Sequence, residues 1–365
     1  MMAINHAKEI VVFTDRLGNC GIQRVLSELT EVWCNAGIKV SIAYMDQGNG
    51  AEVNSPAADY VWNPAIEFLP IPISGGFVAI YYQLTKAMIR VLKKRKNAIA
   101  VSLSVMTNFA MGAAALFVKN KVVISDRNDP TRRPSGKFKQ AIRNFAFKQA
   151  DVLVLQTEDV QRYYVEKIHR KGIIIPNPIN KDIPERFTGE RRNVIVTASR
   201  LNKQKNLPLL IRAFARIAKE YPEYTLEIYG RGEEEDYLKS YARERDVADK
   251  VLFKGFSNNL YQDILDCAVY VCSSDYEGIS NSLIEALGMG LPTISTDCPV
   301  GGSRMLIQHG VNGLLIPVGD EDALYEQLKE VIDHPELAER MSQNACATKE
   351  RFSAEKIGRR WIDAM

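Results

Sequence analysis

Apolar and polar residues follow two alternating rhythms along this chain, and together they predict a series of strands and helices. Short apolar runs indicate buried strands, and most of them precede a stretch with apolar residues at helical spacing. In the first half the predicted strands are 10–13, 39–44, 98–103, 121–125, 152–156 and 173–175. The predicted helices there are 22–36, 77–94, 109–117, 135–149 and 158–168. Residues 47–76 are rich in Gly, Pro and Asn and predict loops with short strands.

A second series of strands and helices begins at Val194, after a segment that is typical of a linker. Pro176, Asn177, Pro178 and Pro184 mark that segment. Strands that alternate with helices form parallel sheets, and such sheets bind ligands at the carboxyl ends of their strands. A length of 365 residues favours two domains. The pattern therefore predicts an α/β protein.

The segment from Glu277 to Glu285 is the most informative part of the chain. It follows the apolar run 268–272, a predicted strand, and enters a predicted helix at 281–287. The unpaired N–H groups and the positive dipole end at the start of that helix would bind a phosphate. Glu285, inside the helix, would accept hydrogen bonds from ribose hydroxyls. Taken alone, two solvated glutamates explain the segment equally well.

Two cations follow an earlier predicted strand. The apolar run 194–198 leads into a loop with Arg200 and Lys205, and a helix is predicted to begin near Asn206. Cations at the carboxyl end of a strand are placed to neutralise a diphosphate. A surface loop with ordinary basic residues is the alternative.

Several short motifs occur in a fixed order between residues 190 and 320. They are Ser199-Arg200-Leu201, Lys205-Asn206, Gly230-Arg231-Gly232-Glu233, Gly255-Phe256, Glu277 with Glu285, and Gly290-Leu291-Pro292. Each is weak, but the ordered set resembles the retaining glycosyltransferases of the GT-B fold, family 4 (glycosyl transferases group 1), in their bacterial polysaccharide and lipid-linked glycan form. This resemblance implies two Rossmann-like domains that face each other across a cleft.

The resemblance also implies domain boundaries. Residues 1–178 would form an N-terminal acceptor-binding domain, and residues 190–345 a C-terminal domain that binds the nucleotide sugar. Residues 346–365 would contain a final helix that crosses back to the N-terminal domain.

Roles for individual residues follow from the same resemblance. Arg200 and Lys205 would hold the donor diphosphate and, with Glu277 at the donor sugar, form the catalytic set. Glu285 would bind the ribose. The base would pack near the loop at Gly255 and Phe256. The backbone after Glu277 would contact phosphate and sugar, through Gly278, Ile279, Ser280 and Asn281.

The implied chemistry agrees with these residue types. Breaking a sugar–phosphate bond leaves negative charge on the nucleoside diphosphate, and fixed cations and helix-end N–H groups stabilise that charge as it develops. The sugar becomes oxocarbenium-like, as in glycoside hydrolysis. Because Arg200 and Lys205 supply positive charge, we expect no essential metal and no cofactor besides the nucleotide-sugar co-substrate. The four histidines are scattered and form no metal-binding pattern.

The N-terminal half offers weaker candidates. The Gly-Gly turn that the family has after its first strand appears here as Cys20-Gly21, so Gly21 is expected near the donor phosphate, with a simple turn glycine as the alternative. Residues 124–130 resemble the Ser-acid-Arg-Asn-x-Pro form of bacterial polysaccharide transferases. Asp126 or Arg127 would position the sugar or the acceptor. A turn capped by Asp and Pro is an equally good explanation.

Charge is distributed unevenly along the chain. The formal net charge is +3, but residues 81–148 contain fifteen Lys and Arg against two Asp, with aromatic residues between the cations. Such a face binds anionic lipid or nucleic acid, or is simply solvated. The family resemblance favours an anionic membrane surface as the partner, and no nucleic acid.

Targeting signals and cysteine spacing point to an intracellular enzyme. No secretory signal is recognised, and no apolar run reaches 18 residues. The six cysteines form no C-x-x-C pair, and those at 267, 272 and 298 are typical of core thiols. We expect a cytoplasmic protein without disulfides, peripheral at the inner face of the cell membrane.

The family resemblance implies a hexosyltransferase. It would move a hexose or N-acetylhexosamine, with retention, from a nucleotide sugar to a lipid-linked or surface-polysaccharide acceptor; UDP is the favoured carrier by family frequency, with GDP as the alternative. Two other functions are considered. One is a sugar-nucleotide epimerase of the GT-B fold, which would need acid–base side chains in the N-terminal half. The other is a non-catalytic protein that binds a nucleotide sugar or scaffolds a membrane assembly.

Overall fold

The computed structural model of the chain describes residues 8–18, 21–46 and 60–365. It contains two compact units. The first comprises residues 1–180 and 353–365, and the second comprises residues 181–352. None of the described helices is long and apolar enough to cross a membrane.

Seven parallel strands form the sheet of the first unit, in the order β3-β2-β1-β4-β5-β6-β7. The continuous apolar runs of the inner strands are explained by burial on both faces of the sheet, whereas the two edge strands are more exposed. The strand order reverses between β1 and β4. The strands are β1 (Glu9–Thr14), β2 (Lys39–Asp46), β3 (Glu67–Pro72), β4 (Ile99–Ser102), β5 (Val122–Ser125), β6 (Val152–Leu155) and β7 (Ile173–Ile174).

Within the described part of the first unit, five helices connect these strands. The third of these helices begins at Val105, four residues before its predicted start at 109. Its N-terminus is fixed there because Ser104 and Thr107 form a capping box. A 3-10 turn, Ala115–Phe117, continues it. The helices are α1 (Gly21–Asn35), α2 (Phe77–Lys94), α3 (Val105–Ala114), α4 (Lys137–Gln149) and α5 (Glu158–Ile168).

Six parallel strands form the sheet of the second unit, in the order β10-β9-β8-β11-β12-β13. This order reverses between β8 and β11. Cys267 and Cys272 are buried in β11, as the sequence predicts. The strands are β8 (Arg192–Ala198), β9 (Thr225–Tyr229), β10 (Val251–Gly255), β11 (Cys267–Cys272), β12 (Thr293–Thr296) and β13 (Leu314–Ile316).

The helices of the second unit cover its sheet. The first of them, α6, buries Leu210, Phe214 and Ile217 in the core of the unit. It follows a 3-10 turn at Lys203–Lys205. The helices are α6 (Leu207–Glu220), α7 (Glu235–Glu244), α8 (Leu260–Ile264), α9 (Asn281–Gly288), α10 (Gly302–Leu306), α11 (Glu321–Asp333), α12 (Pro335–Ala345) and α13 (Ala347–Arg351).

The final helix, α14 (Ala354–Ala364), belongs to the first unit. Its Trp361 ring lies 6.0 Å from that of Trp33 in α1, and the Trp33 Nε1–H donates to the Gly358 carbonyl at 3.4 Å. A Cβ at Gly358 would lie 2.6 Å from a methyl group of Val32, so only glycine allows the two helices to approach this closely. The chain returns to the first unit at Ser353, not at residue 346, because residues 346–352 pack with the second unit.

Candidate active site

The two strands that flank the reversal in the second sheet lead to the strongest candidate residues. Arg200 and Lys205 follow β8, and Glu277 follows β11. The two strands are paired, with Tyr270 opposite Val196. Ligands of open parallel sheets bind outside the carboxyl ends of the strands at such a reversal. The topology therefore brings both predicted motifs to one place.

Hydrogen bonds fix the loops after β8 and β11 to each other. The Asp275 N–H donates to the Gln204 carbonyl at 2.9 Å, and the Gln204 side chain donates to the Tyr276 carbonyl at 2.9 Å. The Ser273 hydroxyl donates to the carbonyl of Lys205 at 2.8 Å. The 3-10 turn that contains Lys205 is thereby held against the loop that contains Glu277.

Lys205 and Glu277 form an ion pair within this arrangement. The Lys205 ammonium donates to Glu277 Oε1, and the Ser274 hydroxyl donates to the same oxygen at 3.2 Å. Only 15% and 13% of the two side chains is exposed. Burial opposes the charge on Lys205, but the Glu277 carboxylate outweighs it and raises the pKa of Lys205. The ammonium is therefore charged at neutral pH.

Arg200 is exposed, and its side chain forms no ion pair with the described residues. Its loop is held by backbone hydrogen bonds on both sides. The Ser199 N–H donates to the Tyr229 carbonyl and the Leu201 N–H donates to the Arg231 carbonyl, each at 3.0 Å. The guanidinium is thus an accessible positive charge on a fixed backbone.

The two glycines of the Gly230-Arg231-Gly232 motif lie where the fold leaves no room for a side chain. A Cβ at Gly230 would lie 1.9 Å from the Ser199 carbonyl oxygen, and a Cβ at Gly232 would lie 2.1 Å from the Leu201 carbonyl oxygen. Any side chain at either position would push away the loop that carries Arg200. The two glycines therefore allow the loops after β8 and β9 to be in contact.

The amino end of α9 is the third element of the site. Its N-cap residue Ser280 has extended backbone and makes no side-chain capping hydrogen bond. The preceding backbone is held by α10, because a Cβ at Gly302 would lie 1.6 Å from the Gly278 carbonyl oxygen. A helix start of this kind binds anions. Ile279 and Ser280 are buried, whereas Asn281 is half-buried.

Glu285 lies in the middle of α9 and is only 5% exposed. The Tyr261 hydroxyl of α8 donates to its Oε1 at 2.9 Å. Helix α8 follows the loop that begins at Gly255, which has a positive φ of 68°, and continues with the exposed Phe256. The predicted ribose and base positions are therefore connected through one short segment of chain.

Three contributors to the site were not predicted from the sequence. They are Ser274, which donates to Glu277; Tyr261, which donates to Glu285; and Gly302, which holds the backbone at Gly278. The Gly301-Gly302 pair is the only one of these with a local sequence signal, a glycine turn before a helix. Tyr261 carries no such signal, because its role depends on how α8 packs.

The candidate residues of the first unit differ in their exposure. Gly21 is the exposed first residue of α1, and Cys20 lies outside the described residues. Asp126 is 5% exposed and accepts hydrogen bonds from the Tyr164 hydroxyl and from the Asn128 N–H. Burial raises the pKa of Asp126. Its geometry is that of the capped turn, the alternative explanation.

Arg127 is held by residues of its own unit. It donates to the Asn177 side chain and its guanidinium lies 5.4 Å from the centre of the Trp361 ring. Burial lowers the pKa of Arg127 below that of a solvated guanidinium. Arg127 thus connects the end of β5 with α14.

A polar cluster that the sequence did not predict occupies the reversal of the first sheet. Asp15, after β1, accepts a hydrogen bond of 2.6 Å from the hydroxyl of Ser104, after β4. Nearby, the Asn108 side chain donates to the Ser125 carbonyl at 2.8 Å. Burial raises the pKa of Asp15, and the Ser104 hydrogen bond opposes this only in part. The cluster is satisfied largely by neutral donors.

The basic segment 81–148 is less basic at its surface than the sequence count suggests. Arg95 pairs with Glu9 and Glu67. Arg143 is only 2% exposed and donates to the Pro130 carbonyl at 2.6 Å. With Arg127 these are three of the fifteen cations, and their roles are internal because each meets an acceptor of its own unit. The other twelve are exposed.

No group of three or more His, Cys, Asp or Glu among the described residues is arranged to hold a metal ion. The expectation that the site works without a metal stays a prediction.

Comparison with known families agrees with this geometry. Residues 179–348 match the model of the family "Glycosyl transferases group 1". An uncharacterized glycosyltransferase of Haemophilus influenzae is 31% identical over 218 residues, which are 59% of this chain and 61% of that protein. An N-acetylgalactosaminyltransferase of Campylobacter jejuni is 26% identical over 380 residues, covering 96% of this chain and 98% of that protein.

Comparison with solved structures identifies the fold. HepE of Anabaena, in complex with UDP, superposes with a TM-score of 0.82 at 17% identity, over 97% of this chain and 98% of that one. TarM superposes with a TM-score of 0.83 at 13% identity, over 98% of each chain. The predictions of two Rossmann-like sheets and of a glycosyltransferase are confirmed. Residues 179–348 of this chain are thus similar to the glycosyl transferases group 1 family, and the chain has the GT-B fold.

Proposed function

We propose that this protein transfers a hexose or N-acetylhexosamine from UDP to a lipid-linked or surface-polysaccharide glycan, with retention of configuration and without an essential metal. The observation that carries the proposal is the arrangement of Arg200, Lys205 and the start of α9 at one edge of the second sheet. Three sources of positive potential meet there, and a diphosphate is the ligand they fit best.

Each residue then has a chemical task. The diphosphate of the donor lies against Arg200, Lys205 and the first turn of α9, and the ribose hydroxyls donate to Glu285. The bond between the sugar C1 and the phosphate oxygen breaks, and its electron pair stays on the phosphate. The acceptor oxygen bonds to C1 on the same face, and its proton passes to the leaving phosphate. Fixed cations stabilise the charge that develops there.

The Lys205–Glu277 ion pair prepares the site for this step. Glu277 keeps Lys205 charged despite its burial, and the hydrogen bonds of the surrounding loops fix its position. Groups that are already oriented need no reorganisation when charge develops, which is the main advantage of a preformed electrostatic site. Glu277 lies next to the phosphate-binding groups and is available to a hydroxyl of the donor sugar.

Relatives support the choice of donor and acceptor. HepE was crystallised with UDP and with UDP-glucose. The Campylobacter protein is named for a diphospho-undecaprenol-linked saccharide to which it adds N-acetylgalactosamine. These names favour UDP over GDP and a lipid-linked saccharide as the acceptor. We therefore also propose that the protein works peripherally at the cytoplasmic face of the cell membrane, where exposed cations of residues 81–148 are attracted by anionic lipid.

One observation favours the epimerase as a second candidate. Asp15 is a half-buried carboxyl with a raised pKa at the reversal of the first sheet, and raised carboxyl pKa values are typical of acid–base catalysts. Its hydrogen bond to Ser104 is also explained by loop capping, so transfer remains the preferred function.

A titration with nucleotide sugars tests the donor proposal. The purified protein is mixed with a panel of UDP- and GDP-sugars in EDTA, and its thermal midpoint is recorded. We expect a selective rise with one UDP-sugar. Arg200→Ala should keep the ligand-free midpoint, because Arg200 forms no ion pair with the part of the chain that the structure describes, and should abolish the rise.

Arg243→Ala is the matched control, since Arg243 is an exposed arginine at the end of α7. It should keep both the midpoint and the ligand response. A rise that needs added divalent metal would contradict the metal-independent site. A rise of equal size in Arg200→Ala would mean that the diphosphate binds elsewhere.

A further inference from the structure

A groove on the second unit is lined by residues that have no role at the donor site. It has a volume of about 510 Å³, opens to solvent and lies where α6 and α7 begin. Sites for small molecules commonly have a volume of this size. The residues that define this α6–α7 groove include Asn202, Asn206, Leu207, Glu234, Tyr237 and Leu238.

Hydrogen bonds fix the walls of the groove. The Glu234 N–H, at the start of α7, donates to the Leu201 carbonyl at 3.1 Å. The Asn206 side chain, at the start of α6, donates to Asp275 at 2.6 Å, which connects this wall to the loop after β11. Because both walls are held by contacts within the unit, the groove is formed before any ligand binds.

An exposed aromatic ring borders the groove. Tyr237 is 49% exposed, and its ring packs against that of Tyr241, one helical turn later, with centroids 5.7 Å apart. Leu207 and Leu238 are each 1% exposed and belong to the core of the unit, so they form the floor of the groove. A ligand therefore meets one aromatic face and an apolar floor.

Hydrogen-bond acceptors line the rest of the groove. The Asn202 Oδ1 atom is buried and has no hydrogen-bond partner among the described residues. A buried acceptor in this state is costly unless a ligand or a water molecule donates to it. Asn206 uses its Nδ2 for Asp275, which leaves its Oδ1 for a ligand. The Glu234 side chain makes no capping hydrogen bond at the start of α7.

The charges around the groove disfavour an anion as the ligand. The exposed Lys203 and the starts of the two helices attract negative charge. Glu234 and Asp236, at the start of α7, oppose that attraction. A phosphate would also bring only acceptors to a groove whose Asn202 Oδ1 needs a donor.

A wholly apolar ligand fits no better, because it would bury these polar groups without partners. A saccharide meets both requirements. Its hydroxyl groups are uncharged donors, and the C–H face of a sugar ring is apolar and matches an aromatic ring in size.

We propose that the α6–α7 groove binds a saccharide at a site separate from that of the donor. Sugar hydroxyls donate to Asn202 Oδ1, Asn206 Oδ1 and the Glu234 carboxylate. The C–H face of one sugar ring lies on Tyr237. The inference rests on the proposed function for the origin of the saccharide, a part of the growing glycan, but not for the binding itself.

Saturation-transfer NMR on the full chain tests the proposal. The probes are the tetrasaccharides of N-acetylglucosamine and of glucose, each with and without UDP. We expect a signal from at least one of them, unchanged by UDP because the groove lies outside the donor site. Tyr237→Ala should weaken this binding by about tenfold, whereas Tyr237→Phe keeps the ring and should bind as the wild type does.

The buried acceptor is tested separately. Asn202→Ala should weaken saccharide binding by about threefold. It should not lower the thermal midpoint of the ligand-free protein, because Asn202 Oδ1 has no partner to lose among the described residues. A merely structural asparagine would lower that midpoint. The matched control for the aromatic ring is Tyr82→Ala, a tyrosine of the first unit that is 64% exposed, which should bind as the wild type does.

Several outcomes would overturn the proposal. The absence of a signal from both tetrasaccharides is one, and an undiminished signal in Tyr237→Ala is another. Displacement by UDP would place the saccharide in the donor site, and displacement by inorganic phosphate would identify an anion site.

Thermal titration with the UDP-sugar reads the proposed function independently. Tyr237→Ala should keep the response of the wild type to the donor. A wild type that binds the tetrasaccharide but does not respond to any nucleotide sugar would overturn the proposed function and leave the groove assigned. A wild type that responds only to the nucleotide sugar would do the reverse.

Discussion

The two sheets of this protein reverse their strand order in the same way but carry different chemistry at the point of reversal. In the second unit, the loops after β8 and β11 present Arg200, Lys205 and Glu277. In the first unit, the loops after β1 and β4 join Asp15 to Ser104 through a hydrogen bond of 2.6 Å. Both positions lie at the carboxyl ends of parallel strands, where the fold favours a ligand.

Burial shifts the pKa of an ionisable group at each reversal, and the two groups differ in the residue that they contact. Lys205 is half-buried beside the Glu277 carboxylate, which raises its pKa and keeps it charged. Asp15 is half-buried beside a hydroxyl, a weaker partner, so the loss of water dominates and the pKa of this carboxyl rises. The same loss of water therefore leaves a charged group in one unit and favours a neutral group in the other.

This difference separates what the fold provides from what the side chains provide. The point at which the strand order of a parallel sheet reverses offers a position for a ligand. Each of the two sheets of this protein has one such point. The second location combines Arg200 and Lys205 with a helix start that lacks a side-chain cap, whereas the described residues of the first location hold a carboxyl against a hydroxyl. The comparison supports the rule that function is argued from a site and not from a fold.

The largest effect is expected from removing the charge at the second reversal. Lys205→Ala should lower the transfer rate by about a factor of 1000, because one preorganised group at the developing charge is lost and Glu277 is left without its cation. The rate is measured with saturating donor. Lys203→Ala is the matched control, since Lys203 is an exposed lysine in the same 3-10 turn. Near wild-type activity in Lys205→Ala would remove Lys205 from the site.

The next effect concerns the backbone of the second unit. Gly302→Ala should destabilise that unit by about 3 kcal/mol, because the added methyl group meets the Gly278 carbonyl and the loop must move. Gly76→Ala is the control in the first unit, where nothing lies within 4 Å of the added atom.

The tryptophans allow the two units to be followed separately. Trp33, Trp62 and Trp361 all belong to the first unit. In urea, the fluorescence transition of Gly302→Ala should therefore match the wild type, while its circular dichroism transition begins earlier. A fluorescence transition that shifts by the same amount would mean that the units unfold together.

The residues expected to bind the donor were the easiest to predict from the sequence. Arg200, Lys205, Glu277 and Glu285 lie in short segments next to their strands, so their positions follow from local pattern and the topology of parallel sheets. The alternation of strands and helices likewise predicted both sheets. Roles of individual site residues remain predictions until the variants are measured.

Contacts between distant segments could not be predicted in this way. Arg95 was counted as a surface cation, yet it pairs with Glu9, 86 positions away in the sequence, and with Glu67, 28 positions away. Tyr261 reaches Glu285 only because α8 packs beside α9. Such partners depend on tertiary packing, which residue periodicity does not contain.

A smaller effect is expected at the ribose position of the second unit. Glu285→Ala should weaken UDP binding by about 2 kcal/mol, or about thirtyfold, because a charged hydrogen-bond acceptor is lost. Calorimetry with UDP and with 2′-deoxy-UDP tests whether the lost contact is the one to the ribose hydroxyl. The wild type should bind UDP more tightly than 2′-deoxy-UDP, and Glu285→Ala should bind the two equally. Tyr261→Phe, which removes only the neutral donor to Glu285, should weaken binding by about fivefold. Undiminished discrimination in Glu285→Ala would assign the ribose to another residue.

The smallest effect is expected at the reversal of the first unit. If Asp15 only caps its loop, Asp15→Asn keeps an acceptor for the Ser104 hydroxyl and changes the transfer rate by less than about twofold. If Asp15 is an acid–base catalyst, as the epimerase alternative requires, the rate falls by about a factor of 100 or more. Rates of transfer and of donor epimerisation, measured on the same preparation, distinguish the two.

The stability of the same variant gives a second test of Asp15 that does not depend on activity. Because burial raises the pKa of Asp15, the folded protein holds this proton more tightly than the unfolded chain does. The contribution of Asp15 to the free energy of unfolding is therefore greatest at low pH and falls as the pH rises from the ordinary carboxyl pKa to the raised value. Asp15→Asn lacks this fall, so its stability relative to the wild type should increase with pH, as read by tryptophan fluorescence in urea. An equal pH dependence in both proteins would mean that folding does not change the pKa of Asp15, and the two reversals would then differ less in charge than their partners imply.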